Sequence, residues 1–191
     1  MRIVALLLLV VLTSGCAAPD GEGSETTPRD SSWAPAATPA QLHCEDGLVG
    51  PTPLTDQMKL TDTVGAALRG ERSELPRAHD VGIPAPSEDW YFRKAPLFVS
   101  PGTPTVTLRV PGDGSQYLLW TSDDAWTDSD SDGISGAWAA TELSVTACHD
   151  LTTSYFGGLL VHDPAHCFPL EVRQDDHTEV RTIRGDGGAC A

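Results

Sequence analysis

From Trp90 onward the chain is written in short runs rich in β-branched and aromatic residues, separated by turn residues at intervals of roughly ten positions. The clearest run is 105–110, where Val106, Leu108 and Val110 alternate with Thr105, Thr107 and Arg109. Successive side chains of a strand point to opposite faces, so this alternation requires one face in a core and the other in water. The same reading places strands at 90–94, 97–100, 105–110, 117–121, 143–148, 155–162, 168–173 and 179–184. Pro101-Gly102, Pro111-Gly112-Asp113-Gly114, His162-Asp163-Pro164 and Asp175-Asp176 supply turns between them. No helical pattern alternates with these strands. The chain is therefore expected to be mainly β, an antiparallel β-sandwich of immunoglobulin-like appearance, with a closed barrel as the alternative.

Ahead of the strands, Leu54, Met58, Thr61, Val64 and Leu68 recur at helical spacing. This predicts a short N-terminal helix, capped by Thr55 or Asp56 and ended by Gly70. Residues 71–88, with Pro76, Pro84 and Pro86, read as an irregular surface loop. Within the run Tyr155-Phe156-Gly157-Gly158-Leu159, two glycines in a strand point to a bulge or to close approach of another backbone.

Apart from Cys16, the cysteines are Cys44, Cys148, Cys167 and Cys190, an even set that in an exported chain implies two disulfides. If the last strands form a meander, the start of the strand at 168 and the end of the strand at 184 lie together. That favours Cys167 with Cys190 and leaves Cys44 for Cys148, while pairing of Cys148 with Cys167 stays open. No C-x-x-C occurs, so neither a thioredoxin-like redox site nor a zinc knuckle is indicated.

The N-terminus carries one basic residue, Arg2, an apolar run over 3–12, and then Leu12-Thr13-Ser14-Gly15-Cys16. The run is shorter than the roughly 20 residues that span a bilayer. This segment resembles the lipobox of bacterial lipoproteins, with Thr13 where that family usually has Leu. The resemblance implies removal of residues 1–15, thioether lipidation of Cys16, and residence at the outer face of the bacterial cell membrane. An ordinary signal peptide cut near Ala17 or Ala18 is the alternative. Residues 16–43 then comprise the lipid attachment and a linker rich in Pro, Ala, Ser, Thr, Gly and Glu, expected to be disordered with a reach of about 30 Å. Trp33 is expected to be exposed or loosely packed. The folded domain is expected over 44–191. Its C-terminal third, with Tyr155-Phe156-Gly157-Gly158 and Cys167-Phe168-Pro169-Leu170-Glu171-Val172, is similar to segments of uncharacterised lipoproteins from high-GC Gram-positive bacteria, which carry no known activity.

Lys plus Arg number 12 against 27 Asp plus Glu, giving a formal charge of −15. A phosphate-binding surface needs clustered basic residues, so nucleic acid is excluded as a partner. Direct docking on anionic lipid is disfavoured for the same reason. A covalent lipid on Cys16 is the route by which such a domain would stay at a membrane, where its partner would be an envelope or extracellular protein or glycan.

The sharpest chemical pattern is Asp128-Ser129-Asp130-Ser131-Asp132-Gly133-Ile134. Carboxylates at alternate positions followed by glycine resemble the front of an EF-hand calcium loop, with Asp128, Asp130, Asp132 and the carbonyl of Ile134 as ligands. The resemblance stops there: the bidentate glutamate position falls on Ala139, with Glu142 nearest. A solvated acidic loop between Trp126 and Trp138 is the competing reading, and no other cofactor is indicated. His149, His162, His166 and His177 cluster in the last third, but Pro164 removes the helix that would make His162 and His166 joint metal ligands. Ser135 lies in Gly133-Ile134-Ser135-Gly136, which lacks the Gly-x-Ser-x-Gly spacing of a nucleophile elbow. Arg184-Gly185-Asp186 matches an integrin-binding tripeptide and reads more simply as a turn. The chain is thus expected to be a non-enzymatic, lipid-anchored cell-surface binding or envelope-interaction module. A weak calcium-binding module is the alternative, and a secreted hydrolase a more distant one.

Overall fold

The computed structural model describes Trp33, Pro35, Ala36 and residues 39–68, 74–122 and 139–191. Three three-residue strands come first, β1 (Ala40–Leu42), β2 (Leu48–Gly50) and β3 (Val64–Ala66). The eight strands expected from alternation follow as β4 (Tyr91–Lys94), β5 (Leu97–Val99), β6 (Val106–Arg109), β7 (Gln116–Thr121), β8 (Glu142–Val145), β9 (Thr152–Val161), β10 (Cys167–Gln174) and β11 (His177–Arg184). They form two sheets that share one large core, a mainly β sandwich stapled by two disulfides.

The first sheet has the order β1-β8-β6-β10-β11. Its centre is antiparallel, with Leu108 opposite both Leu143 and Val172. The hairpin of β10 and β11 runs unbroken from Cys167 opposite Arg184 to Gln174 opposite His177. Its two-residue loop puts Asp175 at φ 50, a conformation that Asp tolerates better than most side chains. The edge pair β1–β8 is parallel, a departure from the all-antiparallel expectation.

The second sheet is built on β9. One side of β9 pairs with β4 and β5, which keep a single register across Ala95-Pro96: Lys94 faces Gly158 and Leu97 faces Tyr155. Pro96 lacks the N–H that would continue the ladder, so one strand is divided into two. The other side of β9 takes β2 and β7, and β3 lies beyond β5. Gly157 and Gly158 are where these neighbours press closest. A Cβ on Gly157 would lie 2.0 Å from the carbonyl oxygen of Leu119 in β7, and one on Gly158 would lie 1.8 Å from that of Arg93 in β4. Gly157 also sits at φ 139, where a side chain is strained.

Leu118, Trp120, Leu159 and Val161 face the first sheet, while Leu119 and Leu160 face away from it and still lie buried. The outward side is covered by Ala78, Ile83, Trp90 and Phe92, which form a second, smaller core with Trp33 and Tyr117 packed against it. Burial on both faces is why the end of β9 reads as a continuous apolar run rather than an alternating one.

The helix expected over 54–68 does not form; this stretch is a turn leading into β3. The Thr61 hydroxyl accepts from the backbone N–H of Thr63 and of Val64, capturing donors that a helix would use. Gly65 then packs so closely that a Cβ would meet Leu54 and the Met58 carbonyl. The segment read as linker also joins the domain before residue 44. Beyond β1, Ala36 N donates to Ala139 O at 2.8 Å, and the Trp33 ring meets Tyr117 edge-on at 5.6 Å.

The disulfides are Cys167–Cys190 and Cys44–Cys148, with Cα separations of 6.0 and 4.8 Å. The first closes the final hairpin. The second ties the entry of the chain to the segment between β8 and β9. No helix among the described residues is long and apolar enough to cross a membrane.

Candidate functional site

The turn between β6 and β7 meets the turn between β9 and β10, and together they enclose a recess of ≈ 270 Å³. Val161 and Phe168 form its apolar wall, while Asp113, Ser115, Gln116, His162, Asp163 and His166 supply the polar groups. The Pro111-Gly112-Asp113-Gly114 turn explains the first cluster. Asp113 Oδ1 accepts from the Ser115 backbone N–H at 3.0 Å and from Ser115 Oγ at 2.7 Å, closing an Asx turn. Gln116 is buried, and its Nε2 donates to Asp113 Oδ1 and to Pro111 O, each at 3.1 Å. The Ser115 hydroxyl also lies against Gln116 Oε1. On the facing turn, Ala165 N donates to Asp163 Oδ1 at 2.9 Å, and His162 N donates to Ser115 O at 3.0 Å, joining the two turns.

Donation from the Ser115 N–H is the main cause holding the Asp113 carboxyl below its ordinary range. The Ser115 hydroxyl, Gln116 and the field of His166 add to it, and partial desolvation opposes it. A carboxylate so stabilised is a poor general base at neutral pH. The Ser115 hydroxyl faces Asp113 Oδ1 and Gln116 Oε1, so the constellation is a hydrogen-bonding recess. Its chemistry suits a small polar ligand presenting both donors and acceptors.

The four histidines of the last third separate. His162 and His166 share the recess, and the His162 ring contacts Trp90 at 5.7 Å. His149 is 94% exposed and bonded to Asp150, which raises its pKa through that hydrogen bond and its charge. His177 lies 75% exposed near Glu179. Among the described residues no group of three or more His, Cys, Asp or Glu is placed to hold a metal ion. Asp128, Asp130, Asp132 and Ile134 of the calcium-loop reading lie outside the described residues, as do Cys16 and Ser135. In Arg184-Gly185-Asp186 the two charged groups bind each other, Arg184 Nη2 to Asp186 Oδ2 at 2.9 Å.

The sequence marks 111–114 only as a turn and does not single out Ser115 or Gln116. An aspartate two residues ahead of a serine, inside a Pro/Gly turn, is the signal that could have found them. A second cleft of ≈ 330 Å³ lies beside β11, lined by Met58, Leu60, Leu68, Arg181, Ile183 and Arg184 among others. No family model, no curated protein and no solved structure matches this chain.

Proposed function

We propose that the chain is a lipid-anchored β-sandwich at the outer face of a bacterial cell membrane, acting as a non-enzymatic binding or envelope-interaction module. The observation that carries this reading is the pair of disulfides, Cys44–Cys148 and Cys167–Cys190, which belong to an oxidising, non-cytoplasmic compartment. The resemblance of Leu12 through Cys16 to a lipobox supplies the anchor, and a formal charge of −15 leaves direct adsorption to anionic lipid unfavourable. The recess of Asp113, Ser115, Gln116, His162 and His166 is the ligand contact of this module. Its paired donors and acceptors match the hydroxyl and amide groups of an envelope glycan or peptide.

The test is export of the full chain with metabolic labelling by a fatty-acid analogue. The native chain should take up label and lose its leader in a globomycin-sensitive step. Cys16→Ala should be unlabelled and accumulate as precursor. Label retained in Cys16→Ala would overturn the anchor.

A further inference from the structure

We propose that β11 is a self-recognition edge, through which two copies of this chain pair antiparallel about a two-fold axis at Val180. Among the described residues β11 is the last strand of the first sheet and pairs only with β10. Such an edge presents a row of backbone donors and acceptors to solvent, and proteins usually blunt it with proline, a bulge or a short strand. β11 has none of these three, being eight residues long, free of proline and regularly paired throughout, so the charges of Glu179, Arg181 and Arg184 are what guards it. Val180, 57% exposed, is the most exposed large hydrophobic side chain among the described residues.

The sequence around Val180 is a chemical palindrome, Thr178-Glu179-Val180-Arg181-Thr182. In an antiparallel pair centred on Val180, valine meets valine, Glu179 meets Arg181 of the other copy, and Thr178 meets Thr182. Every charged pair formed by these residues is opposite in sign, and directly opposed side chains of this kind stabilise a ladder. Shifting the centre by one residue puts Arg181 against Arg181 or Glu179 against Glu179. A half-step shift pairs the buried face of one copy with the solvent face of the other. Of the three centres from Glu179 to Arg181, only the Val180 register satisfies both demands, and neither of the other two keeps more strand residues in the ladder. Within one copy Arg181 Nη2 lies 2.6 Å from Glu179 Oε2 and Arg181 Nε donates to Leu60 O at 2.7 Å, so pairing with a second copy would have to share these charges rather than find them free. An isologous contact of one strand falls below the roughly 1,200 Å² of standard interfaces, so association is weak in dilute solution and strengthens where copies are held on one surface.

Disulfide trapping in the exported full chain tests this. Paired strand residues bring their Cα atoms within about 5.5 Å, inside disulfide reach, so Val180→Cys should give a covalent dimer on a non-reducing gel. In Thr182→Cys the two new thiols stand four positions apart, about 13 Å, and should cross-link at least ten-fold less. Adding Glu179→Arg to Val180→Cys should cut the dimer several-fold, and adding Arg181→Glu as well should restore it. Peptide mapping of Cys44–Cys148 and Cys167–Cys190 reports that each variant is folded. Equal cross-linking at 180 and 182, no dimer from a folded Val180→Cys, or a cross-link to a different protein in its place would overturn the proposal.

Discussion

The carbonyl oxygen of Arg93 stands where a side chain on residue 158 would begin: a Cβ on Gly158 would lie 1.8 Å away. The space cannot be made by moving a side chain, because the obstacle is the backbone of β4, itself hydrogen-bonded to β9. Gly158→Ala should therefore separate β4 from β9 and destabilise the domain by about 3 kcal/mol or more, in the range kept for backbone strain and core disruption. Gly50→Ala, where a Cβ meets nothing within 4 Å, is the matched control and should stay near neutral. Urea midpoints measured on both variants check this. A Gly158→Ala protein as stable as the control would count against the close approach.

Tyr155 joins three parts of the chain through one hydroxyl, which donates to Thr146 O at 2.7 Å and lies 3.2 Å from His43 O. Burial pushes its phenol well above the ordinary range, and the charges of Asp46 and Glu45 push it the same way. A raised folded value means that the neutral form is favoured in the native state. The stability this contributes is complete below the ordinary phenol pKa of about 10 and is lost as the pH rises from there through the folded value. Of the three tyrosines, one should thus ionise only as the protein unfolds in an alkaline absorbance titration. Tyr155→Phe should abolish that delayed step and cost about 1–3 kcal/mol at neutral pH, because Thr146 O loses its partner.

The two disulfides close loops of very different length, 104 residues for Cys44–Cys148 and 23 for Cys167–Cys190. Loop-closure entropy makes the longer cross-link worth about 5 kcal/mol and the shorter about 3. Replacing Cys44 and Cys148 together by alanine should lower the chemical midpoint more than replacing Cys167 and Cys190. The reverse order would mean that strain or residual structure in the unfolded chain dominates over loop length.

What the sequence made legible was the part of the fold with a local cause. β6 shows it best, since Val106, Leu108 and Val110 name their own buried face. The Cys167–Cys190 pairing was favoured on an expected meander of the last strands, of which only the β10–β11 hairpin forms, and that hairpin suffices to bring the two cysteines together; the glycine pair, read as a bulge or a close approach, is a close approach. The three first strands were missed because three residues show no periodicity and their pairing is set by distant partners, such as Leu143 for Ala40. The false helix over 54–68 arose because a loop that buries Thr61, Val64 and Leu68 can imitate helical spacing. Its real determinants are the Thr61 hydroxyl and the Gly65 contact. The recess was hidden for another reason: Ser115 and His166 lie far apart in sequence, and only the packing of two turns brings them to one cavity.

That packing gives the recess a pH signature. The Asp113 carboxyl is held below its ordinary range, first by the Ser115 N–H and then by the Ser115 hydroxyl, Gln116 and the field of His166. A depressed folded value means that the native state favours the ionised form. Its contribution to stability is present above the ordinary carboxylate pKa, about 3.9, and is lost as the pH falls through the folded value. Because Asp113 is solvent-exposed, the contribution is screened and small. Ser115→Ala removes the hydroxyl but keeps the backbone donor, so it should move the Asp113 titration only part of the way back towards ordinary, as followed by the carboxyl carbon shift in NMR. Gln116→Leu should move it by less than Ser115→Ala, since its bond ranks behind both serine contacts. A larger shift in Gln116→Leu would mean that the buried amide, and not the Asx turn, organises the carboxylate and with it the polar side of the recess.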